Sequence, residues 1–300
     1  MPGHVANCIV SCVTRNGRQA TRLLLRGDPA WQAGPVTAGC PGLEAAPPAV
    51  KAVAGSQPIR LVWENGLGGL TFEVGVGADR CFVKWAPATS GTDLGEEASR
   101  LVWAGSFIPV PRLIGRGSDQ AGSWLITAAL PGQNAVASKW KTQPRTAVIA
   151  IGEGLRALHE ALPVSACPFS WTANDRLAGI RSRASEARID PAAWHQVHRN
   201  LGIDQALALL ADVPPTDRLV VCHGDSCAPN TLMTDDGRWS GHVDLGQLGV
   251  ADRWADLAIA TWSAQWNYGL GWERVLLDAY GVQEDAQRTR YYRLLWDLGP

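Results

Sequence analysis

The chain has 300 residues and 46% of them are hydrophobic, which suffices for a large core and argues against wholesale disorder. Its formal net charge is −1 and only 18% of its residues are charged, so no global field favours nucleic acid or a polycationic partner. The seven cysteines include no Cys-x-x-Cys pair and no apolar run is long enough to span a membrane, which together predict a cytoplasmic protein with reduced thiols.

The first part of the chain has the composition of an extension. Residues 1–27 contain four arginines and no acidic residue, and residues 27–49 are rich in glycine, proline and alanine. The second stretch is typical of a linker. We therefore predict that residues 1–49 form a poorly ordered N-terminal extension.

A strand-rich lobe is predicted over residues 50–130. A helix is expected at 94–107, ended by the prolines that follow, and four short apolar stretches have strand character. These stretches are residues 59–63, 71–76, 81–85 and 124–127. A glycine-rich turn with Gly66, Gly68 and Gly69 joins the first two strands.

A larger, mainly helical lobe is predicted over residues 131–300. Ile151, Leu155, Leu158 and Leu162 recur at helical spacing, so residues 146–162 are expected to form an amphipathic helix. Further helices are expected at 253–264 and 291–298. A cleft between two such lobes is a natural site for a small molecule.

Two motifs in the helical lobe carry the residue types that phosphoryl transfer needs. A buried-strand run leads into His223-Gly224-Asp225, and Asn230 follows at the spacing of a kinase catalytic loop. Asp244-Leu245-Gly246 stands where protein kinases carry Asp-Phe-Gly. Asp225 can accept the proton of an acceptor hydroxyl, whereas Asn230 and Asp244 offer the oxygen ligands that Mg2+ prefers.

These motifs and their surroundings resemble the aminoglycoside phosphotransferases, the 3'-phosphotransferase branch most closely. The resemblance covers roughly residues 50–298 and is carried mainly by residues 219–262, with Leu155–His159, Cys167–Phe169 and Tyr292–Leu295 in support. It implies an α+β, protein-kinase-like bilobal fold with a small antiparallel-sheet N-lobe and a larger helical C-lobe. It also implies ATP and Mg2+ as cofactors and a small-molecule hydroxyl acceptor, an aminoglycoside by default.

The resemblance gives roles to particular residues of the C-lobe and N-lobe. Asp225 would be the catalytic base or the carboxylate that orients the acceptor hydroxyl, and Asn230 and Asp244 would hold Mg2+. Lys84 would contact the α- and β-phosphates and pair with Glu97, in preference to the adjacent Glu96. A lysine on the third strand and a glutamate on the next helix suit that pairing.

The nucleotide would also meet backbone groups. The loop with Gly66, Gly68 and Gly69 is predicted to cover the phosphates, although it matches neither a P-loop nor a complete Gly-x-Gly-x-x-Gly pattern. Ala129, in the hinge at residues 128–130, is predicted to lie under the adenine.

Several polar residues near the motifs are predicted to be structural. Asp252 is expected to cap the helix that follows it, Asp256 to brace the catalytic loop, and His223 to hydrogen-bond within that loop. His195 and His198 lack further metal ligands, so we predict that they lie on a solvated helix face.

The acceptor side of the site departs from the family pattern. The family usually carries Asp and Glu at its acceptor-binding positions. The positions that match them in this chain hold Trp266, Asn267, Trp296 and Asp297, so only one carboxylate is kept. We predict that these four residues bind the acceptor. Aromatic replacements favour a flatter or less charged substrate.

Three alternative functions remain open from the sequence. The acceptor could be another antibiotic or a metabolite alcohol, or the protein could bind nucleotide with little turnover. A protein kinase is disfavoured because no Ala-Pro-Glu segment is present and Asp252 follows Asp244 too closely for a long activation loop. The sequence gives no signal for a nucleic-acid or membrane partner, or for a particular number of subunits.

Overall fold

The structure, a computed structural model, describes residues 46–299. Its first half is a single antiparallel sheet flanked by two helices. In chain order the elements are α1 (Pro48–Ala54), β1 (Ile59–Glu64), β2 (Leu70–Val74), β3 (Cys81–Pro87), α2 (Leu94–Ala104), β4 (Leu113–Ser118) and β5 (Gly122–Ala128). The spatial order of the strands is β1-β2-β3-β5-β4, which places β3 at the centre.

Helix α1 packs on this sheet and begins inside the segment that the sequence predicts to be a linker. Its Val50 contacts the cluster that holds Phe72 and Val83, and Ala46 is buried in the same cluster. Burial of these apolar groups stabilises ordered structure. Packed structure therefore begins by Ala46, before the predicted end of the linker at residue 49. Residues 1–45 of the predicted extension lie outside the described residues.

Strand β4 is absent from the sequence prediction. Its Gly115 and Gly117 weaken the apolar alternation by which strands are recognised. Gly117 is needed because a Cβ there would lie 2.4 Å from the Trp124 ring on β5. Helix α2 ends at Ala104 instead of the predicted residue 107, and a turn follows.

The second half of the chain is mainly helical. Its elements are β6 (Gln133–Asn134), α3 (Ser138–Lys141), α4 (Pro144–Ala161), α5 (Ala173–Ser185), α6 (Ile203–Ala211), β7 (Leu219–Cys222), β8 (Thr231–Met233), β9 (Trp239–His242), β10 (Gly249–Asp252), α7 (Trp254–Tyr268), α8 (Glu273–Tyr280) and α9 (Ala286–Asp297). The α+β fold with an antiparallel-sheet lobe and a helical lobe is thus confirmed. The boundary at residue 130 stays a prediction.

Two helices form the interior of the helical lobe. Helix α4 buries Ile151, Leu155 and Leu158, as its periodicity predicts, and α7 is buried from Trp254 to Ala264. Strands β7 and β10 lie against this interior as an antiparallel pair in which Cys222 faces Gly249. This register brings the loop after β7 beside the segment before β10. None of the helices within residues 46–299 is both long and apolar enough to cross a membrane.

Candidate active site

Two loops meet where β7 and β9 end. The loop after β7 carries His223 to Asn230, and the segment after β9 carries Val243 and Asp244. His223 Nε2 lies 3.0 Å from the Val243 carbonyl oxygen, and the Val243 amide donates to the Asn230 carbonyl at 3.0 Å. The predicted structural role of His223 is therefore confirmed. These bonds bring Asp225, Asn230 and Asp244 to one region, as the sequence predicts.

Gly224 permits the close approach of these two segments. Its φ is +85°, a left-handed conformation that is costly for residues with a Cβ. A Cβ at this position would lie 2.3 Å from the Gln247 carbonyl oxygen, which is a backbone atom. Glycine is thus the residue that lets the catalytic loop pack against the segment after Asp244.

Asp225 presents a carboxylate oxygen that is shielded from solvent. Its Oδ1 is buried and has no hydrogen-bond partner among residues 46–299. Burial raises the pKa of Asp225, and the negative charge of Asp244 raises it further. A buried acceptor without a donor is expensive in a folded protein, so this oxygen indicates a site for a ligand that carries a proton.

Asn230 and Asp244 form a donor set that fits a hard cation. The Asn230 amide nitrogen donates to the Asp225 carbonyl at 2.9 Å, so the amide oxygen is the side-chain atom that Asn230 can offer to a metal. Asp244 adopts φ = +64°, which is rare for a residue other than glycine, and its side chain is 44% exposed. Such conformations persist where the surrounding structure requires them, often at functional sites.

Lys84 joins this region to the sheet lobe. From the central strand β3, its Nζ lies 2.7 Å from Glu97 Oε1 on α2 and 2.7 Å from Asp244 Oδ1. Burial alone would lower the pKa of Lys84, but the Asp244 and Glu97 carboxylates together raise it. Glu97 is the buried partner, as the sequence predicts, whereas Glu96 pairs with Arg100 on the surface.

The glycine-rich loop is a hydrogen-bonded turn between β1 and β2. Asn65 Oδ1 accepts hydrogen bonds from the Leu67 amide at 3.0 Å and the Gly69 amide at 2.7 Å. Gly68 has φ = +79°, and a Cβ at Gly69 would lie 2.5 Å from the Asn65 amide nitrogen. Gly66 is exposed at the tip. Asn65 organises this loop and is absent from the predicted site residues, although the adjacent pair Asn65-Gly66 is a turn signal.

Ala129 follows β5 at the hinge between the lobes. Its amide donates to the Arg80 carbonyl at 3.3 Å, so this amide is already used within the sheet lobe. The predicted contact with adenine stays a prediction for the remaining backbone groups of the hinge.

Asp256 braces the catalytic loop, as predicted. Its carboxylate is fully buried in the first turn of α7 and accepts from the His223 amide at 2.6 Å and the Gly224 amide at 3.0 Å. His159 Nε2 lies 2.9 Å from the same carboxylate, and His159 Nδ1 lies 2.8 Å from the Tyr280 hydroxyl. The supporting roles of His159 and Tyr280 are missed by sequence reasoning, because nothing local marks them.

Asp252 also has its predicted capping role. Its Oδ1 accepts from the Trp254 amide at 2.9 Å, at the start of α7, and its Oδ2 accepts from the Asp217 amide at 2.6 Å.

The four predicted acceptor-binding residues occupy different environments. Trp266 is half-buried, and Asn267 donates to the Ser263 carbonyl at 2.9 Å. Trp296 is buried in a cluster with Cys227, just after Asp225 in the chain. Asp297 has a fully buried side chain. Their roles toward an acceptor stay predictions.

The prediction for His195 and His198 is wrong. Both lie in a turn outside the helices, and His195 is only 8% exposed. The His195 amide donates to Asp297 Oδ2 at 3.2 Å, and His198 Nδ1 pairs with the same oxygen. The ring of His195 also packs on Trp262, with centroids 4.5 Å apart. Long-range pairing with Asp297 therefore replaces the solvated helix face that spacing alone indicates.

A sheet lobe that carries Lys84, set against a helical lobe that carries Asp225, Asn230 and Asp244, defines a kinase-like phosphotransferase. Residues 62–292 match the model of the phosphotransferase enzyme family, and the chain belongs to that family.

Named relatives and solved structures agree with this assignment. The chain is 39% identical to an aminoglycoside 3'-phosphotransferase from Streptomyces fradiae, in an alignment that covers 70% of this chain and 81% of that protein. A crystal structure of an aminoglycoside-3'-phosphotransferase of type VIII is 29% identical, covers 83% of this chain and 96% of its own, and has a TM-score of 0.74. An aminoglycoside phosphotransferase from Streptomyces rimosus, solved with ADP and streptomycin, is 28% identical over 83% and 95% of the two chains, with a TM-score of 0.68.

Proposed function

We propose that this enzyme transfers the γ-phosphate of ATP to a hydroxyl group of an aminoglycoside. The observation that carries the proposal is the unpartnered, buried Oδ1 of Asp225 in the same region as Asn230, Asp244 and Lys84. The name of the Streptomyces fradiae relative and the streptomycin bound to the Streptomyces rimosus structure support an aminoglycoside as the acceptor. A cytoplasmic location, where ATP is abundant, belongs to the same proposal.

The sheet lobe would bind the nucleotide. Lys84 would contact the α- and β-phosphates, and Glu97 would hold the ammonium in place through its bonds of 2.7 and 2.9 Å. The turn at residues 66–69 would cover the phosphates with backbone amides. The hinge at Ala129 would meet the adenine through backbone groups.

Asn230 and Asp244 would hold the metal ion. An amide oxygen and a carboxylate are ligands that Mg2+ prefers, and the exposed part of Asp244 leaves room for phosphate oxygens and water. When bound, Mg2+ would neutralise negative charge on the phosphates.

Asp225 would receive the proton of the acceptor hydroxyl. As that hydroxyl oxygen bonds to the γ-phosphorus, the bond from the γ-phosphorus to the bridging oxygen breaks and ADP leaves. The raised pKa of Asp225 suits this task, because a carboxylate that binds a proton more readily is a better general base.

The acceptor would lie against the helical lobe. We propose that Trp266 and Asn267 border it directly, since both side chains are only half-buried. Trp296 and Asp297 are buried, so they would support the acceptor site without touching the acceptor. Trp296 would do so by packing, and Asp297 by its hydrogen bonds with His195 and His198.

A labelling experiment tests this proposal. The protein is incubated with Mg2+, ATP labelled at the γ-phosphate, and a panel of aminoglycosides, macrolides, metabolite alcohols and peptides. Label is expected on an aminoglycoside with the wild type and with Asp235→Asn, a control that changes an exposed carboxylate. No label is expected with Asp225→Ala. Transfer to peptides, or to alcohols alone, would contradict the proposed acceptor, and ATP binding without any transfer would contradict the proposed reaction.

A further inference from the structure

A cleft of about 940 Å³ opens on the helical lobe, between α6, α7, α9 and the segment at residues 195–201. A volume of this size accommodates a small-molecule ligand. The cleft shares a wall with the catalytic loop, because Trp262 lines it and also packs on Cys227, two residues after Asp225. Trp262 therefore stands between this cleft and the loop that carries Asp225.

One wall of the cleft is aromatic. The Trp262 and Trp266 rings lie with centroids 5.1 Å apart, and the His195 ring packs against both, at 4.5 and 6.4 Å. The Trp266 indole N–H is buried and has no hydrogen-bond partner among residues 46–299. This wall offers a ring face for stacking.

The rim of the cleft is apolar. Val197, Leu209 and Leu270 line it and are 63%, 52% and 84% exposed. Exposed apolar groups gathered at one opening mark a binding surface, whereas scattered ones need no explanation.

The cleft has little negative charge. Among the described side chains that line it, Asp212 carries the one carboxylate, whereas Arg290 and Arg293 are positively charged. Arg293 is neutralised by Glu273 at 2.8 Å. Asp297 adds no accessible charge, because its side chain is fully buried and its Oδ2 is bound by His195 and His198. A polycation would thus meet no array of carboxylates here.

We propose that this cleft binds the acceptor by stacking, with an apolar face of a sugar ring against Trp266, and that the preferred acceptor is an aminoglycoside with few amino groups. This inference rests on the proposed function, since it specifies the acceptor of the same reaction. The C–H face of a sugar suits the face of an indole ring. A dense set of ammonium groups would instead lose its hydration without gaining carboxylate partners.

Direct binding measurements test the preference without requiring turnover. Calorimetric titrations with the wild type use glycosides that carry the same hydroxyl pattern and successively fewer amino groups, at low and moderate salt. The dissociation constant is expected to fall, or to stay constant, as amino groups are removed. It is also expected to depend weakly on salt, because few ion pairs are formed.

Substitutions of Trp266 test the wall itself. Trp266→Ala is expected to weaken glycoside binding by about fivefold, the range of an aromatic contact, and Trp266→Phe to retain most of the affinity. Trp266→Glu is expected to reverse the preference toward acceptors with many amino groups. Trp171→Ala is the matched control, because Trp171 is also half-buried in the helical lobe but packs on Arg176, away from the cleft.

The two proposals fail in different ways. Tighter binding of acceptors with many amino groups, with a steep salt dependence and no effect of Trp266→Ala, would overturn the stacking inference and leave the proposed reaction intact. Glycosides that bind through Trp266 but receive no phosphate would overturn the proposed reaction and leave the stacking inference intact.

Discussion

Asp244 Oδ1 lies 2.7 Å from Lys84 Nζ, although 160 positions separate the two residues and they belong to different lobes. Lys84 is bound equally closely by Glu97, so one ammonium group is shared by two carboxylates. The contact closes the cleft between the lobes at the point where we propose that phosphates bind. Lys84 thus links the nucleotide lobe to the proposed metal ligand.

Replacement of Lys84 tests this link. Lys84→Met keeps the aliphatic length but removes the charge, so Mg-ATP affinity is expected to fall by at least about tenfold. Glu97, only 6% exposed, would lose its partner, and the free energy of unfolding is expected to fall by about 2 kcal/mol. Titration calorimetry and denaturant unfolding measure the two effects. Lys139→Met, on an exposed surface, is the control, and equal nucleotide affinity in both variants would refute the link.

Gly224→Ala is expected to displace the catalytic loop. The left-handed φ costs an alanine about 1 kcal/mol, and the clash with the Gln247 backbone adds to this cost. Gly91→Ala separates the two effects, since Gly91 has φ = +68° and no described atom lies within 4 Å of its Cβ position. We expect turnover to fall at least about a hundredfold in the first variant and to survive in the second. Similar turnover in both would show that the close approach is unimportant.

Asp256 is expected to make a large contribution to stability. Burial opposes ionisation of Asp256, but hydrogen bonds, led by the one from His159, lower its pKa below the ordinary value. Because the pKa is lower in the folded state, the stabilisation is complete above the unfolded pKa of about 3.9 and is lost as the pH falls through the folded value. Asp256→Asn should therefore cost about 3 kcal/mol at neutral pH and flatten the acid limb of the stability profile. Denaturant unfolding across pH measures both, and a loss that persists unchanged in acid would contradict this role.

The pH dependence of turnover should report Asp225. Burial and the Asp244 charge raise its pKa, and the deprotonated form is the active base, so kcat/KM should fall at a higher pH than for an ordinary aspartate as the solution is acidified. A hydrogen bond from Cys227 lowers the pKa of Asp225. In Cys227→Ala, kcat/KM should therefore begin to fall at a higher pH than in the wild type. Cys227→Ser, which can keep the bond, is the control. An acid limb that stays in place or moves down in the alanine variant would exclude Asp225 as its origin.

The sequence predicts those parts of the site that local signals determine. The loop from His223 to Asn230 follows a buried apolar strand, and its spacing together with Asp244-Leu245-Gly246 predicts phosphoryl transfer. Lys84 and Glu97 are found because a strand and a helix follow one another with clear periodicity. These residues occupy the predicted places relative to each other.

Contacts between distant positions set the remaining features. Asp297 binds His195 and His198 across about a hundred positions. The local sequence around these residues has no periodicity that predicts the pairing. His159 reaches Asp256 from a helix stripe that otherwise indicates only core packing. Strand β4 is hidden because its two glycines lower strand propensity, and a Cβ at Gly117 would lie 2.4 Å from the Trp124 ring. Tertiary packing decides each of these cases.

The most direct test of the account is the rate of phosphate transfer by Asp225→Asn in a single turnover. Asparagine keeps the size of the side chain but cannot accept the hydroxyl proton. With saturating Mg-ATP and an unmodified acceptor that the wild type phosphorylates, transfer is expected to slow by at least about a hundredfold, while Mg-ATP affinity is retained. Asp235→Asn should transfer at the wild-type rate. Transfer by Asp225→Asn at the wild-type rate would contradict the assignment of Asp225 as the base.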